Sequence, residues 1–183
     1  MRALVVYESV YGNTRMVAEA IADGLSTHGV AVALRVADTD ADALEDVSLV
    51  VVGGPTHMHG LTTSLSRRMA VKAAEEDGHP QVEPGADDEL GLRTWLSNLP
   101  KGDLKAAAFD TRMDRSPLLT GTAARGIARR LERHGCTLVA DPESFFVTDG
   151  EGPLAPGEAE RARAWGAKLA ATLTEAVAGA SGR

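Results

Sequence analysis

Small and hydroxylated residues fill a short segment between an apolar run and an amphipathic stretch near the start of the chain. The apolar run is Ala3 to Tyr7, and Thr14 to Leu25 carries apolar residues at helical spacing. Free N–H groups and a partial positive charge collect where a helix begins, so a loop at that point can wrap an anion. The sequence therefore predicts a phosphate-binding loop formed by Glu8, Ser9, Val10, Tyr11, Gly12, Asn13 and Thr14.

The residue types in this loop suit a phosphate. Ser9 and Thr14 offer hydroxyls, Gly12 lets the backbone come close, and Asn13 supplies an amide and tolerates turn geometry. A P-loop would require a lysine that this loop lacks, and a dinucleotide fingerprint would require three glycines where only Gly12 is present. A plain helix start capped by Asn13 or Thr14 is the alternative, and Arg15 either screens the phosphate or is an exposed helix residue.

Apolar strand patterns alternate with helical patterns along the rest of the chain. The predicted strands are residues 2–7, 30–36, 48–52, 105–109 and 136–140, with 145–147 as an extension of the last. The predicted helices are residues 14–25, 62–74, 89–99, 121–134 and 157–178. Residues 38–45 read as an acidic connection with one or two helical turns, and residues 75–88 read as an exposed loop.

This alternation requires crossover connections, which predict an α/β fold with a parallel sheet covered on both faces. The length of 183 residues fits one domain, which we place at residues 1–178 with a flexible tail at 179–183. Ligands in doubly wound sheets bind beyond the carboxyl ends of the strands. We therefore expect the chemistry in the loops that follow strands one, three and four.

Two further loops supply candidate site residues. The loop after strand three offers Pro55, Thr56, His57, Met58, His59 and Gly60, and the loop after strand four offers Asp110, Thr111, Arg112 and Met113. On an extended loop His57 and His59 would point the same way, but a metal ion would need a third ligand that the sequence does not reveal nearby. They are equally interpreted as a proton donor or hydrogen-bond partner, or as ordinary loop histidines.

The pattern Ser9-x-Tyr11-Gly12-Asn13-Thr14 after an N-terminal strand resembles the FMN phosphate loop of the flavodoxin family. A response-regulator receiver has the same architecture, but it needs an aspartate at the end of strand three, where this chain has Gly53-Gly54-Pro55-Thr56. The resemblance covers nearly the whole chain, and its first loop is the most specific part. It implies a three-layer, doubly wound, five-stranded parallel sheet of order 2-1-3-4-5 that binds FMN at the switch point.

The resemblance also implies that the second and third loops flank the flavin ring. Flavodoxins usually place an aromatic residue in the second loop, often tryptophan, and a stacking tyrosine in the third, and this chain has neither. Met58 and the two histidines are the flat or soft side chains of the second loop, and Gly60 could permit a peptide flip toward flavin N5. In the third loop Arg112 or Met113 would cover the ring, or that face would be open to a substrate.

The backbone groups of Asp110 and Thr111 would bond the pyrimidine edge of the flavin, by the same resemblance. A cation near N1 would stabilise negative charge on the reduced ring. Arg112 and Arg115 are candidates for that cation, with a solvated loop as the alternative.

Composition limits the partners. The net charge is −7 and the sequence shows no strong basic stripe that could follow a phosphate backbone, so we expect no nucleic acid partner. Acidic residues cluster in three runs, which serve solubility or steer the protein toward a basic redox partner. The single cysteine, Cys136, rules out an internal disulfide and a cysteine-based metal site. The N-terminal apolar run is too short for a signal segment or a membrane span, so we expect a cytoplasmic protein.

Two functional classes remain open. The first is an electron carrier whose FMN exchanges electrons with a redox partner protein or an NAD(P)H-linked reductase. The second is an FMN-dependent oxidoreductase that acts on a quinone, with NAD(P)H as donor, or on a porphyrinogen-type substrate. The acidic runs favour the carrier, whereas the open ring face with its histidines and Arg112 favours the enzyme. The oligomeric state is left open.

Overall fold

A central sheet with helices on both faces organises the chain. The computed structural model describes residues 2–39, 41–57, 60–75, 79–88, 90–116 and 121–181. The strands are β1 (Arg2–Tyr7), β2 (Val30–Arg35), β3 (Leu49–His57), β4 (Gly60–Leu61), β5 (Lys105–Met113), β6 (Thr137–Leu138) and β7 (Glu143–Val147). The α-helices are α1 (Asn13–Leu25), α2 (Ser64–Ala73), α3 (Leu92–Asn98), α4 (Ala123–Arg133) and α5 (Glu158–Ser181).

The order of the main strands in the sheet is β2-β1-β3-β5-β6, and these neighbours are parallel. Strand β7 also pairs in parallel with β5. It pairs with residues 109–113 of β5, whereas β6 pairs with residues 105 and 106. The fifth position of the sheet is therefore one strand in two pieces, separated by residues 139–142. Pro142 precedes the second piece and cannot donate to a ladder. The expected order 2-1-3-4-5 is confirmed, with β4 as an added antiparallel partner of β3.

Alternating side chains of the buried strands feed two separate cores. One core joins the sheet to α1 and α5, and the other joins it to α3 and α4. Helices α1 and α5 approach closely because glycine stands at the contact. A Cβ at Gly24 would lie 2.0 Å from the carbonyl oxygen of Arg163, and one at Gly166 would lie 2.3 Å from that of Ile21. The three-layer arrangement predicted from the sequence is confirmed.

Two strands run further than predicted. We placed the end of the third strand at Val52, before Gly53-Gly54-Pro55, but β3 continues to His57. Gly53 faces Phe109, where a Cβ would lie 2.1 Å from the ring, so the glycine makes room for a core aromatic and does not end the strand. Because β1 ends opposite Gly53, β3 has an unpaired side beyond that point, and a proline is tolerated there.

The fourth strand likewise extends past Phe109 to Met113, because β7 pairs with Phe109 to Met113. The predicted start of the third loop, Asp110 to Met113, is therefore sheet. Strand pairing between distant segments decided both outcomes, and no local pattern signalled it.

The other predicted elements lie close to their expected positions. Short 3₁₀ turns at Val36–Asp38 and Ala41–Leu44 occupy the acidic connection, and the last helix continues past Ala178 to Ser181. The predicted helix start at Glu89 and the last two residues of the predicted tail lie outside the described residues. Among the residues that are described, no helix is long and apolar enough to cross a membrane.

Candidate functional site

The loop between β1 and α1 presents backbone N–H groups at the carboxyl end of the sheet. Gly12 adopts a left-handed conformation with φ of 84°, and its N–H donates to Ser9 Oγ at 3.1 Å. The first helical hydrogen bond runs from Met16 N–H to the Gly12 carbonyl. No described residue accepts a hydrogen bond from the N–H groups of Asn13, Thr14 and Arg15, so the first turn of α1 offers donors to an anion.

Thr14 and Thr111 join this loop to the end of β5. Their hydroxyl oxygens lie 2.7 Å apart, and either hydroxyl can be the donor. Both residues are buried, with 1% and 3% of their surfaces exposed. The pair connects the predicted phosphate loop to the predicted ring loop through a contact between residues that are 97 positions apart.

A second segment, which follows β7, covers the outer side of the loop. The Asn13 side-chain amide donates to the Glu151 carbonyl at 3.0 Å, and the Tyr11 hydroxyl donates to the Glu151 carboxylate at 3.2 Å. Partial burial raises the pKa of Tyr11, and the Glu151 carboxylate raises it further. His79 Nδ1 also lies 3.2 Å from that carboxylate. The Asn13 amide, expected to meet the phosphate, is thus engaged with Glu151.

A third segment, residues 79–88, lies against the same loop, although the sequence predicted it as exposed. Glu83 donates its N–H to the Val10 carbonyl at 2.8 Å, and its carboxylate pairs with Arg15. Glu83 Oε2 is buried and has no hydrogen-bond partner among the described residues. A Cβ at Gly12 would lie 3.4 Å from the other carboxylate oxygen. Arg15 is therefore held by an acidic neighbour, and a negative charge lies beside the N-terminal end of α1.

Glu8, which opens the loop, is buried in a network of its own. One carboxylate oxygen accepts a hydrogen bond from the Thr62 hydroxyl. The other accepts from the Leu92 N–H at 2.8 Å and from Arg67 Nη1 at 3.3 Å. Burial raises the pKa of the Glu8 carboxyl, although the Leu92 N–H and Arg67 oppose that shift. The network fixes the start of the loop to β4, α2 and α3.

The second predicted loop is a tight antiparallel turn between β3 and β4. Thr56 pairs with Leu61 and His57 pairs with Gly60, and the His57 side chain is exposed. Pro55 lies within β3, in register with Thr111. The predicted site residues Met58 and His59 lie outside the described residues. The expected orientation of His57 and His59 on one side of an extended loop therefore stays a prediction.

Thr56 and Asp110 bring the ends of β3 and β5 to the start of α4. The Thr56 hydroxyl donates to Asp110 Oδ2 at 2.8 Å and accepts from the Ala123 N–H at 2.8 Å. Asp110 Oδ2 also accepts from the Ala124 N–H at 2.9 Å. Asp110 is fully buried, and its second oxygen, Oδ1, has no hydrogen-bond partner in the described part of the chain.

Arg112 and Met113 end β5 on the side of β7. The Arg112 guanidinium lies 5.0 Å from the centre of the Phe146 ring and donates to the carbonyl oxygens of Met113 and Arg115. It is therefore folded against its own loop and β7, and its expected role as a cover over a flavin ring stays a prediction. Met113 is half-buried.

Within the described ranges, no group of three histidine, cysteine, aspartate or glutamate side chains comes close enough to hold a metal ion. Cys136 is buried, and burial raises the pKa of its thiol.

Comparison with known proteins agrees with this geometry. Residues 4–72 match the flavodoxin domain model. A flavodoxin from the domain Archaea superposes with a TM-score of 0.64 at 20% identity, and the match covers 95% of this chain and 99% of that one. Oxidised Flavodoxin 2 from Bacillus cereus superposes with a TM-score of 0.60 at 20% identity, covering 96% of this chain and 99% of that one. The chain has a flavodoxin-like fold.

Another match to this flavodoxin-like chain is the flavodoxin, WrbA-like protein from Agrobacterium tumefaciens. Its TM-score is 0.57 at 19% identity, with 95% of this chain and 98% of that one covered. No curated protein matched the sequence. The family resemblance and fold predicted from the sequence are confirmed.

Sequence reasoning missed several residues of the flavodoxin-like site. Arg67 lies in an amphipathic helix, where an arginine usually faces water, and only its packing against Glu8 shows that it is buried. Glu83 lies in an acidic, glycine- and proline-rich stretch, a composition typical of exposed loops. The one available signal was Glu8, a charged residue directly after a fully buried strand.

Proposed function

We propose that this protein binds FMN and acts as an electron-transfer protein. The observation that carries the proposal is the anion-binding end of α1, where three N–H groups have no acceptor among the described residues. It stands at the carboxyl end of β1, beside the point where the sheet reverses its winding. A phosphate monoester in this place would meet charge-assisted hydrogen bonds and the positive end of the helix.

The residues of the loop fit the phosphate of FMN. The N–H groups of Asn13, Thr14 and Arg15 would donate to its oxygens, and the Thr14 hydroxyl would do so if Thr111 supplies the proton between the two hydroxyls. Ser9 holds the Gly12 backbone in its turn. The carboxylates of Glu83 and Glu151 oppose the phosphate electrostatically, so we expect weaker binding than the loop alone would give.

The flavin ring would lie between the β3–β4 turn and the end of β5, by analogy with the flavodoxin fold. When bound, FMN supplies transfer of one or two electrons. The chain itself orients the ring loops. Thr56 and Asp110 fix the ends of β3 and β5 to α4, and the buried Asp110 oxygen disfavours negative charge nearby. The exposed His57 can donate a proton at the ring edge.

An electron carrier is our first hypothesis for the function, and an FMN-dependent oxidoreductase is the second. The Arg112 guanidinium packs against Phe146. If it stays there when FMN is bound, the outer ring face would be open to a substrate or to a partner. Turnover of NADPH with a quinone, measured on the purified holoprotein, distinguishes the two. Bleaching by NADPH alone, followed by turnover when the quinone is added as electron acceptor, indicates the enzyme, and bleaching only with an added reductase indicates the carrier.

The function is tested by titrating the protein with FMN and with riboflavin and recording visible spectra and fluorescence quenching. If the loop holds the phosphate, FMN binds more tightly than riboflavin by at least tenfold, since each bond to a charged group contributes about 1.5–3 kcal/mol. Thr14→Ala should weaken the binding of FMN and leave the affinity for riboflavin unchanged. Equal affinity for the two compounds would show that the phosphate is bound elsewhere.

A further inference from the structure

The outer side of α3 and α4 gathers arginines that lack carboxylate partners. We define the arginine face as Arg93 on α3 together with Arg125, Arg129, Arg130 and Arg133 on α4. None of the five forms an ion pair with a described residue. By contrast, Arg15, Arg35, Arg161 and Arg163 on other faces each pair with a carboxylate.

The spacing of the α4 arginines aligns them on the solvent side. The apolar residues Ile127 and Leu131 are buried, whereas Arg125, Arg129 and Arg133 recur every fourth position and are exposed. Residues four apart lie on the same helix face, about 6 Å apart along the axis.

Arg130 and Arg93 lie on the flank of this stripe. Burial lowers the pKa of Arg130, and the positive charges of Arg93, Arg133 and Arg129 lower it further. Arg93 is fixed in place, because its guanidinium donates to the Leu61 carbonyl at 2.7 Å. The face is thus a concentrated positive patch on a chain of net charge −7.

The patch begins at the proposed ring-binding crevice. The N–H groups of Ala123 and Ala124 bond to Thr56 and Asp110 at the ends of β3 and β5. Arg125 is the next residue on α4. The other end of the crevice, by contrast, carries Glu83 and Glu151 beside the phosphate loop. The crevice therefore has opposite charges at its two ends.

We propose that the arginine face is the docking surface for a redox partner protein that presents carboxylates around its own electron-transfer group. This proposal rests on the proposed function. It assigns the partner a negatively charged docking surface, whereas the acidic runs in the sequence favoured a basic partner. Charge complementarity identifies the occupant, because acidic groups would find the exposed guanidinium groups of Arg125, Arg129 and Arg133, which form no ion pair with a described residue. Arg125 and Arg129, nearest the crevice, would steer the approach toward the flavin.

Two small oxidants of opposite charge test the electrostatic potential around the proposed flavin site. FMN-loaded protein is reduced and then mixed in stopped flow with anionic ferricyanide or with cationic hexaammineruthenium(III). Each oxidant ion takes one electron, so two ions reoxidise one fully reduced FMN, and the protons go to solvent. With wild type the ferricyanide rate should fall as salt shortens the Debye length from about 30 Å to about 3 Å.

The variant R125E/R129E should lower the ferricyanide rate about tenfold at low salt and raise the hexaammineruthenium rate. The matched control is R163E/K168E on α5, which makes the same change in net charge on the opposite face and should leave the ratio of the two rates near that of wild type. The FMN affinity of R125E/R129E should equal that of wild type. If R125E/R129E and the control change the ratio of the two rates equally, the arginine face does not steer charged partners toward the flavin and the proposal is wrong.

A competition experiment separates the classes of partner. Poly-L-glutamate should slow the ferricyanide reaction of wild type and have little effect on R125E/R129E. If a single-stranded DNA oligonucleotide competes more strongly than poly-L-glutamate at the same charge concentration, the face is a nucleic-acid site and the proposal is overturned. If wild type takes up no FMN, the proposed function fails first, and the docking proposal with it.

Discussion

Thr111→Val tests whether β5 orients the phosphate loop. The valine keeps the branched shape of threonine but removes the hydroxyl that lies 2.7 Å from Thr14. A hydroxyl has a single proton, so when Thr14 donates to a phosphate, the hydrogen bond between the two threonines requires Thr111 to be the donor. In wild type we assign that role to Thr111. In the variant the Thr14 hydroxyl loses its partner and its orientation.

The size of the effect follows from the burial of both groups. With 1% and 3% of the two residues exposed, water cannot replace the lost hydroxyl. A buried polar group left without a partner costs about 1–3 kcal/mol, and a typical hydrogen bond contributes about 0.5–1.5 kcal/mol. At about 1.4 kcal/mol per factor of ten, we expect FMN to bind about threefold to tenfold more weakly. The unfolding free energy of the FMN-free protein should fall by about 1–3 kcal/mol.

The assay compares FMN and riboflavin on wild type, Thr111→Val and Thr111→Ser. Riboflavin lacks the phosphate, so its affinity should be unchanged in all three, and serine should restore FMN binding. The same loss for FMN and riboflavin would place the effect at the flavin ring. No loss for FMN, with the stability reduced, would show that the hydroxyl pair only holds the fold together.

The remaining predictions concern charged groups near the loop and a distant acid. Glu83→Gln should tighten FMN binding about fivefold, because it removes a carboxylate beside the proposed phosphate site and two like charges at about 4 Å repel by about 1 kcal/mol in water; titration at low salt checks this, and weaker binding would contradict it. Arg67→Met should lower the unfolding free energy by about 3–5 kcal/mol in urea titrations, because it leaves the Glu8 carboxylate buried without its counter-charge; a loss below about 1 kcal/mol would mean that the pair is not needed. For Glu158, burial opposes ionisation, but hydrogen bonds from Arg161 and the Phe146 N–H outweigh it, so the pKa lies below its ordinary value. A lowered pKa stabilises the fold above the unfolded value of about 4.3 and loses this effect as the pH falls through the folded value, so the stability gap between wild type and Glu158→Gln should shrink in acid; a gap that is constant with pH would exclude this linkage.

Local patterns in the sequence were sufficient for most of the architecture. The buried strands are continuous apolar runs, and each helix shows apolar residues at its own period, so the element order emerged without tertiary information. The phosphate loop was equally local, because Ser9, Gly12 and the start of α1 all lie within one turn of chain. A helix beginning directly after a strand fixes the position of its free N–H groups whatever the rest of the fold does.

The lengths of the strands at the candidate site could not be predicted from local sequence patterns. β3 runs on through Gly53 and Pro55, and β5 runs on to Met113, because partners at distant positions complete their ladders. Glycine and proline ordinarily indicate a break, and only the ring of Phe109 against Gly53 explains why the strand continues. Strand pairing depends on the neighbouring strands in the fold. The residue pattern of one segment therefore does not predict where its pairing ends.

The sequence by itself determined that an opening strand passes into a helix through a glycine turn, the turn that we propose binds an anion, since neighbouring residues alone create that feature. Only the tertiary structure decided what surrounds the turn. It brought Thr111 to Thr14, Glu83 to Arg15 and Arg67 to Glu8 across long stretches of chain. Each of these contacts pairs residues whose types permit many partners, and folding selects one partner through the packing of the whole sheet and its helices.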